Sequence, residues 1–271
     1  MTFPVSFDLF GHRVLAHTVL EVIAYATGAR LYWHARRGAR TPLLPAEQNL
    51  WVLTGAIVGA AVGSKVLAWA ESPLDYWSVR ATPAAWLGGK TIVGGLLGGW
   101  IGVEVAKRRL AVTRRTGDAF VFPLLLGIAI GRVGCFLTGL PDHTYGLPSS
   151  LPWAVNFGDG VPRHPTQLYE ILFLLLLGLV LLPLRRGSND GRLFRVFVAA
   201  YLAWRFFIDF LKPRFDCYAG LSAIQWASLA GAAVCLWQWR RIPAVKGANH
   251  DRTTRPIQPR PAAPAAGTLA S

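Results

Sequence analysis

An arginine follows a long apolar stretch near the middle of the chain, in the sequence GRVGCF. Residues 120–130 are interrupted only by Pro123 and Gly127, and Arg132 stands where the pattern is still typical of a membrane-spanning segment. An ionisable group at the centre of a bilayer costs about 2.5–3.5 kcal/mol, so such groups usually face a cavity and carry function. The planar guanidinium of arginine can bind two phosphate oxygens at once, and flanking glycines let a lipid headgroup approach closely. We therefore predict that Arg132 binds phosphate.

A second arginine lies in another apolar stretch, four residues before an acidic side chain. Residues four apart lie on one face of a helix, so Arg205 and Asp209 face the same way and could form a simple intrahelical ion pair. The chain orientation derived below places Arg205 and Arg132 in the outer halves of their helices. Two arginines that face one cavity there could hold the headgroup of a phospholipid.

Further ionisable residues interrupt the apolar segments. His17 and Glu21 are four apart, and they could bind a ligand or hold helices together by hydrogen bonds. Lys65 has no acidic partner on its own helix face, so we expect a carboxylate from a neighbouring helix, although its long side chain could also reach the membrane interface. Tyr169 and Glu170 begin a further apolar segment.

Seven apolar segments must position these residues. Hydrophobic residues make up 53% of the chain and charged residues 15%, against about 25% charged in soluble domains, and the mean hydropathy is +0.37. Because a segment in hydrocarbon must satisfy its own backbone hydrogen bonds, we predict an all-α polytopic membrane protein with seven transmembrane helices. The third segment is short, and its sequence VGGLLGGWIG could break the helix. The seven segments cover about residues 14–33, 48–70, 91–106, 118–137, 167–184, 193–211 and 221–239.

The net charge of +14 is distributed as membrane topology requires, and we do not interpret it as a nucleic-acid-binding signal. With the N-terminus outside, the inside segments hold 18 of the 28 lysines and arginines, and the outside segments hold 6. This bias follows the positive-inside rule, and an odd number of spans preserves it. The C-terminus is therefore expected in the cytoplasm. The first segment is expected to be retained, since His17 and Glu21 interrupt the apolar core that a cleaved signal peptide needs.

The segments between the spans differ in length and composition. Two outside loops, residues 71–90 and 138–165, are predicted to form a small extracytoplasmic cap, and the sequence WAVNF in the second predicts a short strand. Residues 1–242 are expected to form the membrane domain. Residues 243–271 are rich in Pro, Ala and Arg without periodicity, which predicts a disordered cytoplasmic tail.

The cysteines and histidines predict no metal site. The three cysteines and six histidines show no zinc-type spacing, and no glycine-rich phosphate loop follows a strand, so no metal, nucleotide or other cofactor is expected. Cys235 is interpreted as a small hydrophobic residue. A disulfide between Cys135 and Cys217 stays open, because the sequence gives no distance between their Cα atoms.

Five motifs together resemble those of the prolipoprotein diacylglyceryl transferases of bacterial inner membranes. GRVGCF resembles the family's Gly-Arg-x-Gly-Asn-Phe signature, whose closing glycine we assign to Gly146. HPTQLYE, residues 164–170, resembles the Pro-Thr-Gln-Leu-Tyr-Glu element, and WRFFIDF is similar to the Arg-x-x-x-Glu segment. GLSAIQW and GGKTIVGGLLGG resemble the start of the last span and the glycine-rich third span. The motifs occur in order over residues 14–240 and imply a seven-span fold.

The resemblance also implies a reaction. The family transfers a diacylglyceryl group from phosphatidylglycerol to the cysteine thiol of a preprolipoprotein lipobox, and it releases glycerol phosphate. Arg132 and Arg205 would stabilise charge on the departing phosphate, while Glu170 and Asp209 would orient the arginines or the headgroup. Implied partners are phosphatidylglycerol, preprolipoprotein signal peptides and membrane lipids, without nucleic acid. The other residues expected to bind substrate are Tyr169, Gln167, Gly94, Gly95, Cys135, Gly146, His17 and Lys65.

The chain departs from the family pattern at two polar positions. Val93 stands where the third span of the family carries histidine, and Cys135 replaces the signature asparagine. The following segment, LTGLPDHTYG, supplies Asp142 and His143, and His143 is a candidate substitute base, as is His17. Cys135 could instead form a covalent lipid intermediate, although the sequence supplies no adjacent base. The departures also leave open a relative that binds or transports phospholipid without this chemistry.

Overall fold

The computed structural model describes residues 3–9, 11–37, 44–78, 82, 88–185, 191–213 and 218–240. The chain is mostly helical there, as the apolar segments predict. The described α-helices are α1 (Ala16–Arg37), α2 (Ala46–Glu71), α3 (Pro73–Ser78), α4 (Ile92–Arg109), α5 (Val121–Thr138), α6 (Thr166–Leu184), α7 (Arg192–Ile208) and α8 (Ala223–Arg240). Short 3-10 turns cover Gly117–Phe120, Leu140–Asp142 and Asp209–Leu211. Two antiparallel hairpins consist of β1 (Ser6–Leu9) with β2 (His12–Leu15), and β3 (Val155–Asn156) with β4 (Pro162–Arg163).

Seven of these helices are long, and they coincide with the seven apolar segments. Within the part of the chain that the structure describes, three helical stretches are long and apolar enough by themselves to cross a membrane: Ala46–Glu71, Gly117–Thr138 and Thr166–Leu184. Large apolar side chains face outwards, and on α6 Leu179 and Val180 are 67% and 64% exposed. An extended apolar surface of this kind is stable against lipid and not against water. The helices therefore form an integral membrane protein.

Helices α2 and α4 pack against each other along a seam of glycines spaced four residues apart. A Cβ atom at Gly98 would lie 2.2 Å from the carbonyl oxygen of Gly59, closer than any real side chain approaches, so glycine permits this helix separation. Small residues at every fourth position let membrane helices approach closely where lipid offers no hydrophobic driving force. The glycine seam comprises Gly55, Gly59 and Gly63 of α2 and Gly94, Gly98 and Gly102 of α4.

The glycine seam corrects one expectation from the sequence. VGGLLGGWIG does not break the third segment, because α4 continues without interruption from Ile92 to Arg109. Glycine lowers helix stability by about 1 kcal/mol relative to alanine, but contact with α2 stabilises the glycine-rich face. The same residues that weaken the helix alone therefore fix its position in the bundle.

The buried apolar core lies between α4, α5, α6 and α7. Phe197 and Tyr201 of α7 are fully buried within it, and Val93 of α4 is 1% exposed. Cys235 of α8 belongs to the same cluster, as expected for a small hydrophobic residue. On α7 this core extends to Tyr201 and Leu202, about one helical turn before Arg205.

The loop after α5 packs against the ends of α5 and α7. The strand predicted in WAVNF is confirmed, since Val155–Asn156 pairs with Pro162–Arg163. The backbone N–H of Leu147 donates to the carbonyl oxygen of Leu211, 2.7 Å away, and so joins this loop to the end of α7.

The N-terminal hairpin was not predicted. Of the remaining expectations, residues 79–81 and 83–87, Cys217 and the predicted tail lie outside the described residues.

Candidate active site

Two buried arginines meet at one carboxylate where α5, α6 and α7 converge. Arg132 lies in the second half of α5, Glu170 in the first turns of α6 and Arg205 in the last turn of α7. Arg132 Nη2 lies 2.9 Å from Glu170 Oε2, and Arg205 Nη1 lies 3.2 Å from the same oxygen. All three residues are at most 4% exposed. The structure thus brings together the two arginines and the glutamate that the sequence singled out.

Further polar groups hold this arginine cluster, which we define as Arg132, Glu170 and Arg205. Tyr201 donates its hydroxyl hydrogen to Glu170 Oε1 over 2.7 Å. Arg205 Nη2 lies 3.7 Å from Asp209 Oδ1, so the expected intrahelical pair exists within a larger network. The Nε atoms of both arginines have no hydrogen-bond partner among the described residues. Each guanidinium therefore keeps a donor that a ligand could use.

Lys212 adds a third basic side chain beside the arginine cluster, directly after the turn that ends α7. It is half-buried, and its backbone N–H donates to the carbonyl oxygen of Asp209. Burial lowers the pKa of the Lys212 ammonium to about 7, and the positive charges of Arg205 and Arg132 act in the same direction. Sequence analysis missed Lys212, whose one signal is its position three residues after Asp209.

A second polar cluster adjoins Arg132 and consists of His17, Cys135 and Asp142. One ligand atom from each residue lies within 4.8 Å of the other two. Arg132 Nη1 lies 3.9 Å from Cys135 Sγ, so the two clusters touch. Cys135 is a free cysteine. We call this group the thiol cluster.

Asp142, and not the neighbouring histidine, reaches the thiol cluster. His143 is exposed, and its ring lies 6.5 Å from that of Tyr145. The backbone of His143 has a left-handed φ of 52°, which ends the 3-10 turn that carries Asp142. No described contact links the His143 ring to the arginine cluster. The geometry therefore offers no support for His143 as the substitute base.

Two predicted substrate-binding residues on α6 have different surroundings. Gln167 donates from Nε2 to Thr144 Oγ1 over 3.1 Å, and its buried Oε1 has no partner among the described residues. The hydroxyl of Tyr169 accepts a hydrogen bond from Trp153 Nε1 and lies 3.2 Å from His164 Nδ1. Tyr169 therefore holds the loop after α5, while Gln167 lies on the side of the thiol cluster.

Gly146 lies where two chain segments approach closely. A Cβ atom there would come within 2.6 Å of His164 Cβ and 2.9 Å of the carbonyl oxygen of Leu211. The Gly146 N–H donates to the His164 carbonyl over 2.9 Å. A larger residue would displace the loop from the ends of α6 and α7, so the described role of Gly146 is close packing.

The remaining predicted residues lie on α2 and α4. Lys65 donates from Nζ to the carbonyl oxygens of Gly89 and Gly88, over 2.9 and 3.2 Å, and its expected contact with a carboxylate stays a prediction. Gly94 belongs to the glycine seam, and a Cβ atom at Gly95 would be 3.7 Å from α2. Val93 is buried among apolar residues, so this position brings no ionisable group to the arginine cluster.

The fold and the two clusters define an integral membrane protein with a strongly charged site buried inside its helix bundle. Residues 4–240 match the family model described as prolipoprotein diacylglyceryl transferase. The chain is 35% identical over 259 residues to the phosphatidylglycerol–prolipoprotein diacylglyceryl transferase of Bordetella parapertussis, a match that covers 89% of this chain and 88% of that one. The chain is 34% identical over 212 residues to the protein of the same name from Cupriavidus metallidurans, a match that covers 71% of this chain and 73% of that one. It is 28% identical over 256 residues to the protein of that name from Idiomarina loihiensis, a match that covers 89% of each chain.

The chain belongs to the prolipoprotein diacylglyceryl transferase family, as its motifs indicate, and it is a transferase.

Proposed function

We propose that the protein transfers a diacylglyceryl group from phosphatidylglycerol to the lipobox cysteine thiol of preprolipoproteins and releases glycerol phosphate. The observation that carries this proposal is the convergence of Arg132 and Arg205 on one buried carboxylate oxygen. Two guanidinium groups that converge on one carboxylate oxygen can also bind the oxygens of a phosphate group, because the planar guanidinium recognises both anions. The names of the relatives support the choice of phosphatidylglycerol and prolipoprotein as substrates.

The reaction moves negative charge onto phosphate. The substrate thiolate attacks the glycerol carbon, an S–C bond forms, and the C–O bond to phosphate breaks with its electron pair kept by the phosphate oxygen. The charge on the phosphate therefore rises from about −1 towards −2 in the transition state. Arg132 and Arg205, held in position by Glu170, stabilise this charge in a site from which water is excluded.

Glu170 also holds the two arginine side chains in position before a headgroup binds. Its Oε2 atom takes the place between the guanidinium groups that an anionic headgroup would approach. The Nε donors of Arg132 and Arg205 stay available to phosphate while Glu170 keeps both side chains in place. Asp209 orients Arg205, and Gln167 and Tyr169 support the loop under which the headgroup would enter.

We further propose that the protein lies in the bacterial inner membrane. Seven helices cross the bilayer with the N-terminus outside, and loops 71–90 and 138–165 form an extracytoplasmic cap. Residues 1–242 form the membrane domain and residues 243–271 a cytoplasmic tail. The arginine cluster then lies towards the outer leaflet, where preprolipoprotein signal peptides present their lipobox cysteine.

A transfer assay with arginine variants tests the proposed function. The purified protein in detergent, supplied with phosphatidylglycerol and a lipobox peptide, should add the diacylglyceryl mass to the peptide cysteine. Arg132→Lys and Arg205→Lys should each reduce the rate by about 100-fold or more, because lysine keeps the charge but loses the two-pronged contact.

Arg195→Lys is the matched control, since Arg195 is 6% exposed and lies on α7, about 15 Å from Arg205 along the helix. It should keep most of the activity. If the unmodified protein adds no mass under conditions in which a Bordetella relative does, the proposed function is wrong. If the two lysine variants keep full activity, the assigned phosphate contact is wrong.

A further inference from the structure

We propose that His17, Cys135 and Asp142 bind a zinc ion whose fourth ligand is the thiolate of the substrate cysteine. Imidazole, thiolate and carboxylate are the three side-chain groups that zinc binds, and catalytic zinc sites keep three protein ligands with one open position. The ligand atoms of the thiol cluster lie within 4.8 Å of one another. Ligands of a tetrahedral zinc ion lie about 3.5 Å apart, so small side-chain rotations would close the site.

The surroundings of His17 fit a metal ligand. Its Nδ1 atom is buried and has no hydrogen-bond partner among the described residues. The same atom would lie 3.1 Å from a Cβ at Gly134, so the glycine beside Cys135 lets the imidazole approach α5. The other ring nitrogen, Nε2, lies 3.9 Å from Glu21 Oε2. A ligating histidine usually donates from its second nitrogen to a carboxylate, and Nε2 would have to move about 1 Å closer to Glu21, which also pairs with Lys90, to do so.

The carboxylate ligand is also held in position. Thr144 donates its hydroxyl hydrogen to Asp142 Oδ2 over 2.5 Å, and Gln167 donates to Thr144 Oγ1. The backbone carbonyl of Thr144 in turn accepts a hydrogen bond from Thr166 Oγ1. These hydrogen bonds connect the Asp142 side chain to the first turn of α6. The same helix carries Glu170 of the arginine cluster.

The position of the thiol cluster suits the proposed reaction, on which this role of the zinc ion rests. Cys135 Sγ lies 3.9 Å from Arg132 Nη1, so a thiolate bound at the open position would lie beside the phosphate that Arg132 holds. The substrate thiol would lose its proton to water when it binds zinc. The reaction would therefore need no histidine at position 93 as a general base. The zinc-bound sulfur then forms the S–C bond while the C–O bond to phosphate breaks. The thioether product is a poorer zinc ligand and can leave.

Cobalt substitution tests the metal site independently of transfer. The purified full chain, treated with a chelator and titrated with Co²⁺, should bind one equivalent and show a thiolate-to-cobalt charge-transfer band. Cys135→Ser, His17→Gln and Asp142→Asn should each abolish this band. Glu21→Gln should keep the band and weaken metal binding by roughly 10–100-fold.

Cys235→Ser and His143→Gln are the controls, since the first removes a buried cysteine of α8 and the second an exposed neighbour of Asp142. Both should keep the band. Absence of a band in the unmodified protein, or a band that depends on Cys235, would overturn the metal site.

The transfer assay tests the role of the metal. Chelation should reduce the transfer rate at least tenfold, and one equivalent of Zn²⁺ should restore it. Full activity of the chelated protein, or a diacylglyceryl adduct on Cys135 itself, would overturn the zinc-bound thiolate and leave the proposed function intact. If no preparation transfers lipid, the proposed function fails, and the cobalt titration still decides whether the metal site exists.

Discussion

Glu170 holds together two guanidinium groups that would otherwise repel each other inside a membrane protein. Its carboxylate accepts from both arginines and from the Tyr201 hydroxyl, and it is 1% exposed. Removal of one partner from a buried ion pair costs roughly 3–5 kcal/mol, because it leaves an uncompensated charge. Glu170→Gln should therefore lower the thermal unfolding temperature in detergent. Phosphatidylglycerol should raise that temperature more in the variant than in the unmodified protein, because phosphate can replace the missing carboxylate.

Two controls separate this charge effect from general instability. Asp159→Asn removes an exposed carboxylate that pairs with Arg163 in the loop after α5, and it should change the unfolding temperature much less than Glu170→Gln does. Diacylglycerol, which has the same acyl chains without phosphate, should not rescue Glu170→Gln. Equal rescue by both lipids would contradict a phosphate site at the arginine cluster.

Lys212 should make stability depend on pH in a defined direction. Its pKa is about 7 in the folded protein and near 10.5 in an unfolded chain, so between these values only the unfolded state carries the proton. The free energy of unfolding should therefore rise as the pH increases from about 7 towards 10. Thermal unfolding at pH 6, 7.5 and 9 measures this contribution, and Lys212→Met should remove it. Lys212→Arg should also remove this pH dependence, because arginine stays charged over the whole range, and it should be less stable than the unmodified protein at pH 9. If both variants keep the pH profile of the unmodified protein, Lys212 is not the group responsible.

The individual residues of the arginine cluster could be predicted, but the thiol cluster could not. Arg132, Glu170 and Arg205 interrupt apolar segments, and the cost of placing charge there marks them without knowledge of the fold. His17, Cys135 and Asp142 come from α1, α5 and the turn after α5, so no spacing rule connects them. Their proximity depends on how α1 packs against α5, which tertiary contacts determine.

At the scale of elements, the glycine seam is the contact most sensitive to a single methyl group. A Cβ at Gly98 would lie 2.2 Å from the Gly59 carbonyl oxygen, so α2 and α4 must separate to accept even alanine. Overpacking of this kind typically costs about 1–3 kcal/mol. Gly98→Ala should therefore lower the thermal unfolding temperature and the yield of folded protein from membranes.

Gly178→Ala is the matched control on α6. A Cβ there meets only Leu125 Cδ1, at an ordinary 3.7 Å, so the substitution should be neutral or slightly stabilising by its helix propensity. If both variants behave alike, the close contact in the glycine seam does not limit stability.

The sequence predicted the existence of α4 but not its continuity, because the contribution of its glycines depends on the partner helix.

For the whole molecule, the distribution of charge predicts how the bundle is oriented. The ends of α1 and α4 and the start of α7 carry dense positive charge, while the arginine cluster and the loop after α5 lie at the opposite ends of their helices. Positive residues stay on the cytoplasmic side during insertion. We therefore expect both clusters on the extracytoplasmic side, where exported preproteins would arrive.

Cysteine labelling tests this orientation, in a background in which all three native cysteines are serine. Ser150→Cys lies in the exposed loop after α5, and Glu47→Cys and Thr113→Cys lie in exposed positions at the proposed cytoplasmic ends. A membrane-impermeant maleimide should label Ser150→Cys in intact cells, and the other two positions only after permeabilisation. Labelling of Thr113→Cys in intact cells would reverse the bundle and move the arginine cluster to the inner leaflet. The phosphate chemistry proposed here would then lie on the wrong side of the membrane for an exported thiol.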